Sequence, residues 1–196
     1  MRRLRRADLP TAAATLARWL IGKTLVRDSR EGRASGRIVE TEAYVVGDAA
    51  GHAFRGPTAR NRSLFLRRGH AYVYFIYGMY YCVNVSAEAA DIGAGVLVRA
   101  LEPLDGIALM QQRRGTDRIA DLARGPGRLT VALAIDRALD GFDLCASGPL
   151  WLGSAPLPAG PVGESVRIGI TKEAGRVLRY YERGNPSVSG PAALRP

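Results

Sequence analysis

Two glutamates and a tyrosine alternate in one short segment and could carry out acid–base chemistry. Glu40, Glu42 and Tyr44 are each separated by a single residue. On a β-strand such residues share one face, which would place the Cα atoms of the two acids about 6–7 Å apart. One glutamate could then be a general base that activates a water molecule, while the aromatic neighbour holds a flat substrate beside it. The alternative is a solvated acidic strand face without a catalytic role.

Aromatic residues supply a second candidate site. Five of the eight tyrosines fall between positions 72 and 81, and aromatic faces stack well on nucleobases. Packing is the expected role for most of them, but Tyr77 precedes Gly78 and would lie at a hairpin tip, where there is less core to pack against. His52 follows the glutamates in a glycine-containing loop. It is either a stacking or hydrogen-bonding residue or an ordinary surface histidine.

The chain is strongly basic, with a formal net charge of +10 and a sequence pI near 10.3. This balance favours a polyanionic partner, and nucleic acid before a membrane, because clustered cations neutralise phosphates and release counterions. Five arginines follow His52, at positions 55, 60, 62, 67 and 68. They could bind successive phosphates, or they could simply be solvated.

Several classes of function are poorly supported by the composition. Two cysteines are too few for a disulfide framework and suit a reducing cytoplasm. The basic start lacks the apolar region of a signal peptide, and no apolar run reaches membrane-spanning length, so we expect a cytoplasmic protein without a membrane partner. Two histidines give little basis for a metal site. Phosphate-loop, dinucleotide-binding and nucleophile-elbow patterns are missing, and we expect neither metal nor cofactor.

The elements that must position these residues are mixed without regular βαβ alternation. Hydrophobic patterning and glycine or proline breaks predict strands at residues 36–46, 71–76, 80–86, 95–101, 165–170 and 177–182. The same signals predict helices at residues 8–26, 105–114 and 127–135, and a surface excursion at residues 145–163. The fold class is therefore α+β: a single domain over residues 1–196 with a curved, mostly antiparallel sheet flanked by helices. We expect residues 1–7 and 190–196 to be loose.

Motifs in fixed order along most of the chain resemble the alkyladenine (3-methyladenine) DNA glycosylase family. The matching segments are residues 40–44, His52, residues 60–62, 72–84, 97–103, Gly125-Pro126, residues 132–135, Arg167-Ile168-Gly169, residues 178–181 and Arg183-Gly184. The resemblance implies a base-excision repair enzyme. Such an enzyme flips a damaged purine out of double-stranded DNA and hydrolyses its N-glycosidic bond, leaving an abasic site. It further implies a hairpin that inserts into DNA, and substrates among alkylated, deaminated and etheno-bridged purines.

The resemblance also assigns roles to individual residues. It makes Glu42 the general base and Arg99 a residue that positions the attacking water. Tyr44, His52 and Tyr74 contact the flipped base, and Asn84 crowds the pocket against the exocyclic amine of guanine. Tyr77 fills the gap left in the duplex, and Met79, Arg60 and Arg62 are further DNA-binding residues.

Further expectations concern the chemistry. Arg99 should favour the ionised form of Glu42, and Glu40 is interpreted as structural. Neither lysine lies in the matched site segments, so we expect a monofunctional enzyme without lyase activity. We also expect a monomer, associated with the nucleoid through DNA if the source is bacterial.

Two other functions fit parts of the pattern. A non-catalytic nucleic-acid-binding module could use the aromatic hairpin for stacking and the arginines for phosphate. A glycoside hydrolase could use Glu40 and Glu42 as a carboxylate pair, since sugars also stack on aromatic rings, although the positive net charge argues against it.

Overall fold

The computed structural model of the chain describes residues 1–155 and 157–194. Within those ranges lie eight β-strands and three α-helices. The strands are β1 (Thr24–Ser29), β2 (Gly32–Tyr44), β3 (Ala71–Ile76), β4 (Tyr80–Ser86), β5 (Gly95–Pro103), β6 (Leu150–Gly153), β7 (Val162–Val166) and β8 (Val177–Glu182). The helices are α1 (Ala13–Leu20), α2 (Ile107–Arg114) and α3 (Pro126–Ala132). Among these described helices, none combines the length and apolarity needed to cross a membrane.

All eight strands belong to one curled antiparallel sheet. Its main path runs β3-β4-β5-β2-β1-β6, and β8 pairs with both β2 and β7. The α+β prediction, with a single domain and a curved antiparallel sheet flanked by helices, is confirmed. The insertion of the hairpin into DNA stays a prediction.

Strand β2 is the centre of this architecture because it has three partners. One edge pairs with β5, while the other pairs with β1 over residues 32–37 and with β8 over residues 40–42. The register against β5 shifts on either side of Glu40. A bulge of this kind bends a strand and redirects its side chains. The predicted acidic segment therefore lies where β2 bends from one partner to the next.

Helix α1 packs its apolar face on the sheet beside this bend. Leu16, Ala17 and Leu20 are fully buried, and burying one leucine side chain contributes roughly 1.5–3 kcal/mol. The hydroxyl of Thr41 donates a hydrogen bond to the carbonyl oxygen of Ala17 (2.9 Å). Because side chains alternate along a strand, Thr41 lies on the helix side of β2 and its two glutamate neighbours lie on the other.

The predicted hairpin has the observed boundaries: β3 and β4 begin and end where the sequence pattern places them. Tyr77 and Gly78 have φ angles of +54° and +66°. Two successive left-handed residues make the kind of tight turn whose twist matches that of the flanking strands. The tyrosine is therefore held in a conformation that glycine adopts far more easily.

The prediction of a helix over residues 8–26 is too long. Asp8 belongs to a short 3₁₀ turn, α1 covers only Ala13–Leu20, and Gly22 turns the chain with a φ of +85°. The residues from Thr24 onward form β1, which pairs with β2 and β6. Pairing with these two strands therefore makes these residues a strand, although the spacing of apolar residues in the sequence had predicted a helix.

Residues 145–163 are not a surface excursion throughout. Residues 150–153 form the buried strand β6 against β1. The basic leader, expected to be loose, is also held against β6: Leu4 is buried and its N–H donates to the carbonyl oxygen of Leu152 (2.9 Å). At the other terminus, Ala192–Leu194 forms a 3₁₀ turn, and the part of the predicted tail at residues 195 and 196 lies outside the described residues.

Candidate active site

The carboxyl group of Glu42 is fully buried and is contacted from three directions. Its Oε1 accepts a hydrogen bond from the backbone N–H of Ile168 (2.7 Å) and lies 3.2 Å from Nη1 of Arg99. Its Oε2 accepts from the hydroxyl of Tyr44 (3.1 Å). A carboxylate oxygen can accept two hydrogen bonds, so Oε2 retains capacity for a water molecule. The structure thus brings the predicted base and Arg99 together.

Burial raises the pKa of Glu42 above its ordinary value of 4.5. Arg99 and the N–H of Ile168 act in the opposite direction, as expected for hydrogen bonds and positive charge near a carboxylate. The expectation that Arg99 would favour the ionised form is correct in sign, but loss of solvation outweighs it. A general base works best when its pKa lies near the working pH, so this direction suits proton uptake by Glu42.

Glu40 is also fully buried but has the opposite electrostatic balance. Its burial would raise the pKa, yet Arg99 and Arg179 reverse that effect and the pKa falls below the ordinary value. A carboxylate held ionised in this way is a poor general acid. Glu42, with its raised pKa, could supply the proton of a glycoside hydrolase pair, but both oxygens of Glu40 already accept hydrogen bonds from the protein. Glu40 is therefore not available to a sugar as the second carboxylate, which disfavours that function.

Aromatic side chains wall a cavity of about 510 Å³ in front of Glu42. Tyr44, His52 and Tyr74 line it together with Arg99 and Ile168, which means that every group touching the Glu42 carboxyl faces the cavity. The site is therefore a flat-walled chamber with a carboxyl group directly behind its lining. Such a chamber suits a planar ring held between aromatic faces.

His52 is fixed as part of this wall. Its ring centroid lies 4.5 Å from that of Tyr74 in an edge-to-face arrangement, and Nδ1 lies 2.9 Å from the hydroxyl of Tyr72. Its backbone carbonyl accepts from the side-chain amide of Asn61 (2.8 Å). Burial, assisted by the positive charge of Arg60, lowers the pKa of His52. His52 keeps exposed surface, and the lowered pKa favours the neutral imidazole, which does not repel a cationic ring by charge.

Asn84 lies on β4 next to this chamber. Its side-chain amide donates to the carbonyl oxygen of Tyr72 (3.1 Å), and it borders a small cavity of about 30 Å³ shared with Tyr44, His52 and Tyr74. The structure places Asn84 beside the aromatic wall, and its role in excluding guanine stays a prediction.

The predicted DNA-binding residues are on the surface around the chamber. Tyr77 is 79% exposed at the hairpin turn and also lines the mouth of the cavity, and Met79 is 68% exposed next to it. Arg60 and Arg62 are exposed, and Nη2 of Arg60 lies 3.5 Å from the carbonyl oxygen of Phe75 on the hairpin. Exposed aromatic and cationic groups thus surround the entrance, and their contact with DNA stays a prediction.

Sequence reasoning missed the support behind Tyr44. The Arg167 guanidinium lies 4.6 Å from the centroid of the Tyr44 ring, donates to the carbonyl oxygen of Ala43 (3.0 Å) and forms a fully buried ion pair with Asp48. The only local signal is the Arg167-Ile168-Gly169 motif, whose second residue holds Glu42. The pairing of Arg167 with Asp48 joins residues 119 positions apart, so only the fold reveals it.

Comparisons with known proteins identify the family to which the chain is related. The family model of methylpurine-DNA glycosylase (MPG) matches residues 7–186. A protein of Mesorhizobium japonicum, provisionally named a 3-methyladenine DNA glycosylase, is 64% identical over 190 residues, covering 97% of this chain and 91% of the relative. Proteins given the same name in Paraburkholderia phytofirmans and Methanoculleus marisnigri are 51% and 49% identical, covering 97% and 89% of this chain and 90% and 92% of the relatives.

This chain belongs to the methylpurine-DNA glycosylase family. It is a monofunctional DNA glycosylase for alkylated purines, a hydrolase of N-glycosyl bonds. The predicted family is confirmed.

Proposed function

We propose that this enzyme flips an alkylated purine out of double-stranded DNA into the aromatic chamber and cleaves its N-glycosidic bond with water activated by Glu42. The water oxygen forms a bond to C1′ of the sugar as the bond from C1′ to the purine nitrogen breaks. The departing base keeps the electron pair of that bond, and the proton of the water passes to Glu42. A base still stacked in the duplex would leave no room for this water, so flipping precedes hydrolysis.

The single observation that carries the proposal is the placement of the Glu42 carboxyl. It lies behind a chamber lined by Tyr44, Arg99 and Ile168, all of which contact it. Arg99 lines the chamber and its Nη1 lies 3.2 Å from Oε1 of Glu42. Because Nη1 carries two N–H donors, Arg99 can also orient a water molecule beside Glu42. The raised pKa of Glu42 supports its role as proton acceptor.

Selection of damaged bases follows from the chemistry of the walls. A methylated purine that carries positive charge is attracted to the electron-rich faces of tyrosine. Such a base also leaves C1′ as a neutral molecule, which makes it a better leaving group than a normal purine. The names of the relatives point to 3-methyladenine as one such substrate. Deaminated and etheno-bridged purines would gain the stacking but not the charge attraction.

Duplex DNA is the proposed partner, bound by a monomer. The net charge of +10 and the exposed Arg60 and Arg62 favour phosphate contacts. Tyr77 projects from the hairpin at the mouth of the chamber, where it can occupy the space that the flipped base vacates.

Replacing Glu42 with glutamine tests the proposal because it removes the proton acceptor and keeps the size of the side chain. Release of 3-methyladenine from methylated duplex DNA, with enzyme in excess, should fall by about 10²–10⁴-fold. Glu31→Gln is a matched control, since Glu31 is exposed in the turn between β1 and β2, at the opposite end of β2 from Glu42. It should excise at the wild-type rate.

The pH dependence of the wild-type rate gives an independent check. Activity should be lost as the pH falls through the pKa of Glu42, with a midpoint above 4.5 because burial raises that pKa. Full excision by Glu42→Gln, with duplex binding intact, would contradict the catalytic assignment and leave only a binding function.

A further inference from the structure

Glu40 is a buried charged residue next to the site, and one of its contacts is with Arg99 of the site itself. Its Oε1 accepts hydrogen bonds from Nε of Arg99 (3.1 Å) and Nε of Arg179 (2.6 Å), and its Oε2 accepts from the backbone N–H of Ser189 (2.7 Å). These partners come from β5, β8 and the segment that follows β8. One carboxylate therefore gathers three separate parts of the chain.

Arg99 is shared between the two glutamates. Its Nε contacts Glu40, while its Nη1 lies 3.2 Å from Oε1 of Glu42, and its Nη2 lies 3.5 Å from the hydroxyl of Ser189. A guanidinium group is planar with its donors in a rigid fork, so fixing one nitrogen fixes the direction of the others. The contact with Glu40 consequently determines how Arg99 approaches Glu42.

We propose that Glu40 is a positioning residue for hydrolysis, which orients Arg99 toward Glu42 and takes part of the positive charge of Arg99 away from it. This inference rests on the proposed function, because it takes Glu42 as the proton acceptor. It assigns Glu40 a role in the rate and its pH dependence, in addition to its role in holding the fold together.

The groups around Glu42 give the direction of the expected effect. Those that face it or lie next to it are Glu40 and Tyr44 on β2, Cys82 on β4, Arg99 on β5, Arg179 on β8, and Arg167 with the N–H of Ile168 after β7. Burial is the main cause of the raised pKa of Glu42, Glu40 adds to it by charge repulsion, and Arg99 opposes it. Neutralising Glu40 removes the repulsion and leaves Arg99 with one acidic partner fewer. Both changes lower the pKa of Glu42.

The test measures release of 3-methyladenine from methylated duplex DNA by Glu40→Gln, with enzyme in excess, across the pH range. The midpoint of the acidic limb should move down by about one pH unit. The plateau rate should fall roughly tenfold because Arg99 loses its anchor. Affinity for the duplex, measured by fluorescence anisotropy, should stay within about twofold, since Glu40 is buried away from the surface.

An unmoved midpoint in folded Glu40→Gln would overturn the proposal, even if thermal stability falls, because a purely structural role changes only the fraction of folded enzyme. Glu42→Gln, assayed in parallel, separates the two hypotheses. If it retains excision, the proposed function fails. If it is inactive while Glu40→Gln behaves as wild type, only the present inference fails.

Glu40→Asp keeps the proposal testable if Glu40→Gln does not fold. It retains the buried negative charge but withdraws the carboxylate by one methylene from Arg99 and Arg179, which both donate to Oε1. The plateau rate should then fall with an unchanged midpoint and unchanged duplex affinity. A wild-type rate in this variant would show that the orientation of Arg99 does not depend on Glu40.

Discussion

Tyr77 gives a prediction in which stability and activity change in opposite directions. Its φ of +54° lies in the left-handed region, which costs a non-glycine residue roughly 1–2 kcal/mol. Because the side chain is 79% exposed, Tyr77→Gly loses little buried surface. Glycine gives back roughly 0.4–1 kcal/mol through the greater freedom of the unfolded chain. The folded state of Tyr77→Gly should therefore be more stable by roughly 0.5–1 kcal/mol, which is a rise in Tm of about 1–4 °C.

Excision by the same variant should become slower. If the ring occupies the gap in the duplex, its removal forfeits base stacking worth roughly 1–3 kcal/mol, which corresponds to about a 5–150-fold lower rate. Single-stranded DNA has no vacated stack to fill, so its excision rate should change by less than about twofold. The assay compares 3-methyladenine release from matched single- and double-stranded methylated DNA, beside thermal unfolding of each variant.

Asp91→Gly is the matched control for the backbone effect. Asp91 is exposed with a φ of +67° and lies outside the hairpin, so its replacement should alter stability slightly and leave excision unchanged. Equal losses on single- and double-stranded DNA would refute the role of Tyr77 in the duplex. A less stable Tyr77→Gly would refute the argument from backbone strain.

Two further substitutions test the support of the chamber and its selectivity. Asp48→Ala should lower the free energy of unfolding by about 3–5 kcal/mol because it leaves Arg167 buried without its acidic partner. Arg176→Ala, which removes an exposed ion pair, is the control and should lower it by less than about 1 kcal/mol. Similar losses for the two variants in chemical denaturation would show that the buried pair is not critical. Asn84→Ser should enlarge the small cavity beside the aromatic wall and increase release of normal guanine from unmethylated duplex DNA. An unchanged preference for damaged bases would show that Asn84 does not exclude guanine by its size.

Local sequence patterns were sufficient to predict several strands of the sheet. The hairpin strands β3 and β4 and the strand β8 have the predicted boundaries because β-branched and aromatic residues, closed by glycine, specify strands without outside help. Strands β1 and β6 were not predicted, since each is defined by pairing with residues far away in the chain. The helix α1 was predicted too long for the same reason.

The sequence by itself determined which residues could do the chemistry: the alternation of Glu40, Glu42 and Tyr44, the tyrosines of the hairpin, and the basic charge suited to phosphate. Only the tertiary structure decided how the two glutamates differ. They lie two residues apart on one strand, yet Glu42 has a raised pKa and Glu40 a lowered one. The physical reason is that burial disfavours both charges, while the arginines brought by β5 and β8 compensate Glu40 more fully than Glu42.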